Sequence, residues 1–330
     1  MSQLSHIPRV RRAFLPTPIH QLRNLANSLE INKLYIKRDD LTGIGAGGNK
    51  TRKLEFVVGK AIEQRADTLV TVGALQSNHC RQTATFAANL GLRCVLLLGG
   101  NEPESSKGNH MLDGLLGAEI KYYEDAGFEE LHERLDDVVD TLCELGLSPY
   151  AIPAGAATAT GCLGYVQAML ELKEQIIEEQ LDIDKIIVPV GTGGTLAGML
   201  AGAEVVEMDI DIVGVTVLFD TDSCHSRISS LLNEMHKEYP DTIPETRRAI
   251  QIDDTFLDEG YGVVTNGVRS TIGTFAKMDG VILDPVYTAK AGLVLMRMAM
   301  VDELQKNESI LFWHTGGLPA TFAYSEALTA

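Results

Sequence analysis

The sequence predicts an α/β fold of largely parallel sheets flanked by helices, and three observations carry that prediction. Short apolar runs alternate with amphipathic stretches along almost the whole chain. The runs are apolar at successive positions rather than at every second one, as strands covered on both faces require. There are also more strand–helix units than one sheet takes comfortably, so two α/β domains with a cleft between them are expected.

The elements follow in order. Leu34 to Ile36 reads as a strand, and Lys50 to Gln64 as a helix with Leu54, Val57, Val58 and Ile62 on one face. Strand Thr68 to Val72, helix Asn78 to Leu90, strand Cys94 to Leu98 and helix Gly108 to Leu116 come next. Strand Glu119 to Tyr123, helix Phe128 to Leu145 and strand Pro149 to Ile152 continue the alternation. A long helix runs from Gly161 to about Gln180, followed by strand Lys185 to Val190 and a helix from about Thr195. Then come strand Ile212 to Val217 and a helix around Ser226 to His236. Strand Val281 to Leu283, helix Thr288 to Leu304, strand Ile310 to Trp313 and a short helix close the chain. No low-complexity linker and no internal repeat interrupts it.

Composition narrows the function classes. The 330 residues are 45% hydrophobic and 22% charged, which is globular rather than disordered composition. A net charge of -17 repels nucleic acid and anionic lipid, so neither is an expected partner, and any anionic ligand needs a local site. The five cysteines form no CxxC pair, which fits a reducing compartment without disulfides, and no histidine cluster offers metal-ligand spacing. The basic residues of Met1 to Arg12 are followed by no apolar run, and no stretch is long enough to span a bilayer. A cytoplasmic location is the expectation.

Five segments carry chemistry. In Lys37 to Lys53, four glycines between Gly43 and Gly48 precede Lys50 at the start of a helix. Gly43, Gly45 and Gly48 formally match a dinucleotide fingerprint, but the polar Lys37 to Asp40 run separates them from the strand. A phosphate-binding P-loop fails because Asn49 is inserted between Gly48 and Lys50. A lysine at the mouth of such a loop can instead form an imine with an aldehyde cofactor. The helix N-terminus and neighbouring Arg52 and Lys53 would lower its pKa. A solvated helix lysine is the bland alternative.

The second segment, Gly73 to Arg81, opens a helix after a strand. Ser77 is a plausible N-cap, or it joins Asn78 and the helix N–H groups in holding an anionic group. His79 and Cys80 point about 100° apart on a helix and so form no dyad. In the third segment, Leu196 breaks the dinucleotide pattern. Gly191, Thr192, Gly193, Gly194 and Thr195 remain as an anion nest suited to a phosphate monoester, or as a tight structural turn. The fourth and fifth, Asp284 to Thr288 and His314 to Gly317, each follow a predicted strand, where ligands of parallel sheets sit. Glu259 to Gly262 adds a turn with one more aromatic, Tyr261.

Taken together and in this order, Lys-Arg-Asp-Asp, Gly-Gly-Asn-Lys-x-Arg-Lys-Leu-Glu-Phe, Gln-Ser-Asn-His, the Gly/Thr nest, Gly-Tyr-Gly, Leu-Asp-Pro-Val-Tyr and His-Thr-Gly-Gly resemble one family. It is the D-cysteine desulfhydrase and 1-aminocyclopropane-1-carboxylate (ACC) deaminase family of pyridoxal-phosphate (PLP) enzymes, which also contains L-cysteate sulfo-lyases. The resemblance runs from Pro16 to Tyr324. It implies a two-domain, tryptophan-synthase-β-like fold (fold type II) with the active site in the interdomain cleft. Residues 1–53 and 160–330 would form the large cofactor-binding domain and 54–159 the small one. It implies a homodimer and a small amino acid as substrate. Lys50 would carry the imine, Asn78 would bond the ring oxygen, Gly191 to Thr195 would hold the phosphate, and Thr315 would face the pyridine nitrogen. Tyr287 would serve cofactor and catalysis, with Ser77 and Tyr261 also catalytic. Ser77, Asn78, His79 and Thr288 would meet the substrate.

Within the family, Tyr287-Thr288 and His314-Thr315 resemble the desulfhydrase branch, since the deaminase pattern has Glu and Leu at the second position of each pair. That implies β-elimination of a cysteine-like amino acid, with L-cysteate lysis and ACC deamination as alternatives. A nucleotide-binding protein is the alternative of another class. One departure stands out: Ala154 to Thr158 replaces the Gly-Gly-Ser-Asn that family members commonly carry, which implies an altered substrate pocket.

Overall fold

The computed structural model describes residues 4–124, 126–305 and 307–329. The first half of the chain runs β1 (Ile19–Gln21), α1 (Arg23–Ser28), β2 (Lys33–Arg38), α2 (Lys50–Glu63), β3 (Thr68–Ala74), α3 (Asn78–Leu90), β4 (Arg93–Gly99), α4 (Gly108–Leu115), β5 (Glu119–Tyr123), α5 (Phe128–Glu144) and β6 (Pro149–Ile152). The second half runs α6 (Ala159–Glu179), β7 (Lys185–Val190), α7 (Gly194–Val205), β8 (Asp211–Thr216), α8 (Thr221–Glu238), β9 (Gln251–Asp253), α9 (Asn266–Asp279), α10 (Thr288–Met300), β10 (Ser309–His314), α11 (Leu318–Ala323) and α12 (Ser325–Thr329).

The strands form two sheets, in the orders β1-β2-β10-β7-β8-β9 and β5-β4-β3-β6. Every pairing is parallel except that of β1 with β2. Both sheets are covered on both faces, which is why their strands read as unbroken apolar runs. On the larger sheet, Leu163, Leu196 and Met235 of α6, α7 and α8 pack on one face. Leu25, Phe275 and Leu295 of α1, α9 and α10 pack on the other. On the smaller sheet, α2 and α3 cover one face and α5 the other. Among the described residues, no helix is long and apolar enough to cross a membrane.

The structure departs from the sequence reading in a few places. Val281 to Leu283 forms no strand. Val281 and Leu283 are buried against α9 and α10 while Ile282 is exposed, and the backbone is used elsewhere: Val281 N–H donates to the Phe275 carbonyl, and the Ile282 carbonyl takes the His314 ring N–H. The run is apolar because it is core, not because it pairs. The three-residue strands β1 and β9 and the helices α1 and α9 were not anticipated. Helix α8 starts earlier than expected, because the Asp220 carboxylate accepts from Ser223 N–H and caps it there.

A buried polar network joins the layers. The Arg52 guanidinium donates to Asp39 through Nε and Nη2 at 2.9 and 2.8 Å, to Glu171 through Nη1 and Nη2 at 2.9 Å, and to Thr17 Oγ1 at 2.9 Å. Asp39 also accepts from Tyr165 OH at 2.6 Å and Trp313 Nε1 at 2.8 Å. Lys37 donates to Glu171 at 2.6 Å and to Gln175. Burial alone would raise both carboxyl pKa values, but the Arg52 charge and its hydrogen bonds hold Asp39 and Glu171 below their usual range.

Arg52→Met should therefore leave two carboxylates buried beside a single lysine and destabilise the fold by about 3–5 kcal/mol. Guanidinium unfolding of both proteins near pH 7 measures this. Because the folded carboxyl pKa values are depressed, the network's contribution is fully present above the ordinary carboxylate range and fades as pH falls below it, through the lowered folded-state values. The gap between wild type and variant should then shrink in acid. A gap that is constant with pH would show that Arg52 acts by packing alone.

Candidate active site

Strand C-termini of both sheets converge on one cavity of about 240 Å³. The loop after β2 comes first. Gly48 has φ +120°, and a Cβ built there would lie 2.6 Å from Gln82 Nε2 and 3.3 Å from the Thr315 carbonyl. A Cβ at Gly316 would in turn lie 2.7 Å from Gly48 Cα. Only glycines allow this approach. The Asn49 N–H donates to the Thr315 carbonyl at 2.9 Å, so the loop and the turn after β10 are stitched together.

Lys50 is the first residue of α2, facing the cavity. Its Nζ donates to Asn49 Oδ1 at 2.9 Å, and Asn49 Nδ2 donates to Thr195 Oγ1 at 3.0 Å, which ties the lysine to the Gly/Thr turn. Burial, then the charge of Lys53, then that of Arg81 lower the Lys50 pKa to about 7, against the opposing Asp284 charge. The sequence expectation named Arg52 as a contributor. The structure corrects this, since Arg52 turns away into the buried network and Arg81 supplies the further positive charge.

At the end of β3, Ser77 caps α3 by accepting the Cys80 N–H at 3.2 Å. Its own hydroxyl hydrogen stays available to the cavity, which Ser77 lines. His79 also lines it, but its Nε2 lies 2.7 Å from Thr71 Oγ1. That hydroxyl donates to the Ile152 carbonyl, so the imidazole must be the donor to Thr71. Burial, reinforced by the Lys50 charge, pushes the His79 pKa well down, so the ring is neutral. Cys80 is buried among apolar side chains and its thiol pKa is pushed well up, which leaves it inert.

The turn after β7 places Gly191 to Thr195 at the start of α7. Lys53, which the sequence reading took only as a neighbour of Lys50, is the residue missed here. It is buried, lines the cavity, and donates to the Gly155 carbonyl. A Cβ at Gly194 would lie 2.6 Å from its Nζ. Burial lowers its pKa to about 8. A buried cation beside a helix N-terminus is an anion site in its own right. The signal was in the sequence: on a helix, a residue three positions after Lys50 shares its face.

Before α10, Asp284 accepts from the N–H groups of Val286, Tyr287 and Thr288. That cap fixes Tyr287, whose ring centroid lies 5.6 Å from Lys50 Nζ and whose hydroxyl is 2.8 Å from that of Tyr261. Burial raises the Tyr287 phenol to about 12 and Tyr261 upward as well, so both keep their protons at neutral pH. Thr288 does not lie where the sequence reading put it. It is fully buried, its hydroxyl donates to Asp284 Oδ1 at 2.7 Å, and it does not line the cavity. Thr315 does line it. Among the described residues, no Asp or Glu lines the cavity, and no group of His, Cys, Asp or Glu is placed to hold a metal.

A family model described as "Pyridoxal-phosphate dependent enzyme" matches residues 10–316. A Pyrococcus abyssi protein provisionally named 1-aminocyclopropane-1-carboxylate deaminase is 40% identical over 325 residues, covering 98% of this chain and 96% of that one. The D-cysteine desulfhydrase of Salmonella newport is 37% identical over 334 residues, covering 98% of each chain. A crystal structure of an ACC deaminase homologue superposes with a TM-score of 0.92 at 38% identity, covering 99% of this chain and 97% of that one.

The lowered Lys50 pKa has a direct consequence. In protein stripped of cofactor, Lys50 should react with an amine-directed reagent such as trinitrobenzenesulfonate with a midpoint near pH 7. Ordinary surface lysines follow a midpoint of about 10.4. Peptide mapping across a pH series measures this, and a Lys50 midpoint in the surface range would mean that the amine is solvated and charged.

Proposed function

The chain belongs to the pyridoxal-phosphate-dependent enzyme family, within the group of ACC deaminase and D-cysteine desulfhydrase relatives, and on that premise we propose that it is a carbon–sulfur lyase acting on D-cysteine. The overall reaction converts D-cysteine and water to pyruvate, ammonia and hydrogen sulfide. The observation that carries this reading is the charge inventory of the cavity, which among the described residues is lined by two lysines and no carboxylate.

The residues present fit the cofactor. The Gly191 to Thr195 nest with Lys53 suits its phosphate, Lys50 its aldehyde, Asn78 its ring oxygen and Thr315 its pyridine nitrogen. When bound, the cofactor withdraws the electron pair released at the substrate Cα. A neutral Thr315 hydroxyl, unlike a carboxylate, does not hold the ring nitrogen protonated. The resulting electron sink is a weaker one, which suits loss of a ready leaving group better than opening of a cyclopropane.

The chain's own groups account for the rest. The free Ser77 hydroxyl hydrogen and the N-terminus of α3 receive the substrate carboxylate. The Lys50 amine, of which a substantial share is neutral near pH 7, would take the Cα proton. The Cα–H pair forms the Cα=Cβ bond as the Cβ–S bond breaks, and the paired Tyr287 and Tyr261 phenols hold a proton for the departing sulfur. With Lys53 and the nest taken up by the phosphate, no further cation among the described residues lines the cavity to meet the sulfonate of L-cysteate.

We place the enzyme in a reducing, cytoplasmic compartment as a homodimer. Its cysteines among the described residues are free. Helices α4 and α11 pack together and leave Met111, Leu115, Leu318 and Phe322 exposed, an apolar surface of the kind a second copy covers.

Lys50→Ala should abolish turnover and covalent cofactor attachment while the fold persists. Borohydride trapping with peptide mapping reads the attachment, and a trapped cofactor on another lysine refutes the assignment. Pyruvate and ammonia release should be fastest with D-cysteine in a panel including L-cysteine, L-cysteate, D-serine, β-chloroalanine and ACC. Faster turnover of ACC or L-cysteate than of D-cysteine overturns the substrate choice.

A further inference from the structure

Asn109, at the start of α4, belongs to none of the segments that sequence reasoning singled out, yet it is completely buried and every polar atom of it is engaged. Its Oδ1 accepts from Arg81 Nε at 2.8 Å. Its Nδ2 donates to the Gln76 carbonyl at 2.9 Å and to Asn78 Oδ1 at 2.9 Å. Its backbone N–H donates to Gln76 Oε1 at 2.9 Å. Arg81, also buried, donates through Nη2 to the Gly47 carbonyl at 3.0 Å, and so holds the loop that leads to Lys50.

The chemistry of these groups fixes each amide in turn. A guanidinium N–H only donates, so Asn109 must turn its oxygen to Arg81. Its NH₂ then faces the Gln76 carbonyl, which only accepts, and the side chain of Asn78. Asn78 must therefore offer its oxygen to Asn109, which leaves its NH₂ for the cavity that it lines. Without Arg81 and Asn109, the Asn78 amide could present either end.

We infer that Asn109 is a positioning residue that sets the polarity of Asn78, so that an N–H donor rather than a carbonyl meets the anionic ring oxygen of the cofactor. This rests on the reading above that Asn78 faces that oxygen. Charge on the ring oxygen is least compensated when the nitrogen linking cofactor to Lys50 has lost its proton. A donor at the oxygen therefore favours that unprotonated form, and loss of the donor raises the pH at which the linkage titrates.

The test is a double-mutant cycle on the holoenzyme, read by the pH midpoint of the cofactor's visible absorption band. Asn109→Asp keeps the acceptor for Arg81 but cannot donate to Asn78, so Asn78 should turn its carbonyl to the cavity. The midpoint should rise by about one unit. Asn109→Ala, which adds no charge and covers the case in which the first variant does not fold, should raise it by a smaller amount. Asn78→Ala should also raise it, and in that background neither Asn109 variant should shift it further. Equal shifts with and without Asn78 would mean that Asn109 acts through charge or general loosening, and would overturn the inference. A shift from Asn78→Ala alone would overturn the role of Asn109 and leave Asn78 in place. No shift from Asn78→Ala would remove both.

Discussion

The buried Arg52 guanidinium is the interaction on which the rest of the arrangement depends. Through Asp39, Glu171 and Thr17 it ties α2 to the end of β2, to α6 and to the N-terminal segment, and Asp39 carries the tie on to Trp313 of β10. Helix geometry explains why this also fixes the site. Arg52 lies two residues after Lys50, about 200° around the helix, while Lys53 lies three after it and returns to the same face. Anchoring Arg52 on one side of α2 thus presents Lys50 and Lys53 together on the other. Such buried ion networks add little net stability over apolar packing, but they penalise any other register of the elements they join.

The two cavity lysines do different work because their surroundings differ. Both lose charge stability through burial, in a molecule whose net charge of -17 would otherwise favour cations. Among the described residues Lys50 has only a neutral amide as hydrogen-bond partner and feels both Lys53 and Arg81, so a substantial share of its amine is neutral near pH 7. Lys53 has a carbonyl partner and the α7 N-terminus beside it. A bound anion there would stabilise the Lys53 charge, and the same anion would offset the repulsion that Lys53 exerts on Lys50. Binding at the nest and reactivity at Lys50 are in this way electrostatically coupled.

Much of this was legible in the sequence, because long apolar runs and glycine-rich turns after strands have a single structural solution. Lys50, Ser77, Asn78, Thr315, the two tyrosines and the Gly191 to Thr195 turn do line one cavity or its rim. What escaped was orientation. Thr288 follows a motif that points to the cleft, but a β-branched hydroxyl next to the Asp284 cap is drawn to that carboxylate instead. Val281 to Leu283 has the composition of a strand and the burial of one, and only the partners of its backbone tell otherwise. Asn109 carries no motif at all, since its role is set by four contacts to a distant segment, Gly73 to Arg81.

The departure at Ala154 to Thr158 changes meaning in the same way. The sequence reading tied it to the substrate pocket. In the structure, Ala154 and Gly155 line the cavity, whereas Thr158 caps α6 by accepting Gly161 N–H, and Ala157 lies against the nest, its Cα 3.1 Å from a Cβ built at Gly194. Ala157 presents a methyl group where a hydroxyl or amide would have supplied another donor to an anion. The donors that remain are the turn's N–H groups, its threonines and Lys53, whose ammonium reaches the same spot from α2. A buried cation is the stronger partner for a phosphate than a neutral hydroxyl would be. The departure therefore bears first on the nest that we propose holds the phosphate, and on the cavity itself only through Ala154 and Gly155.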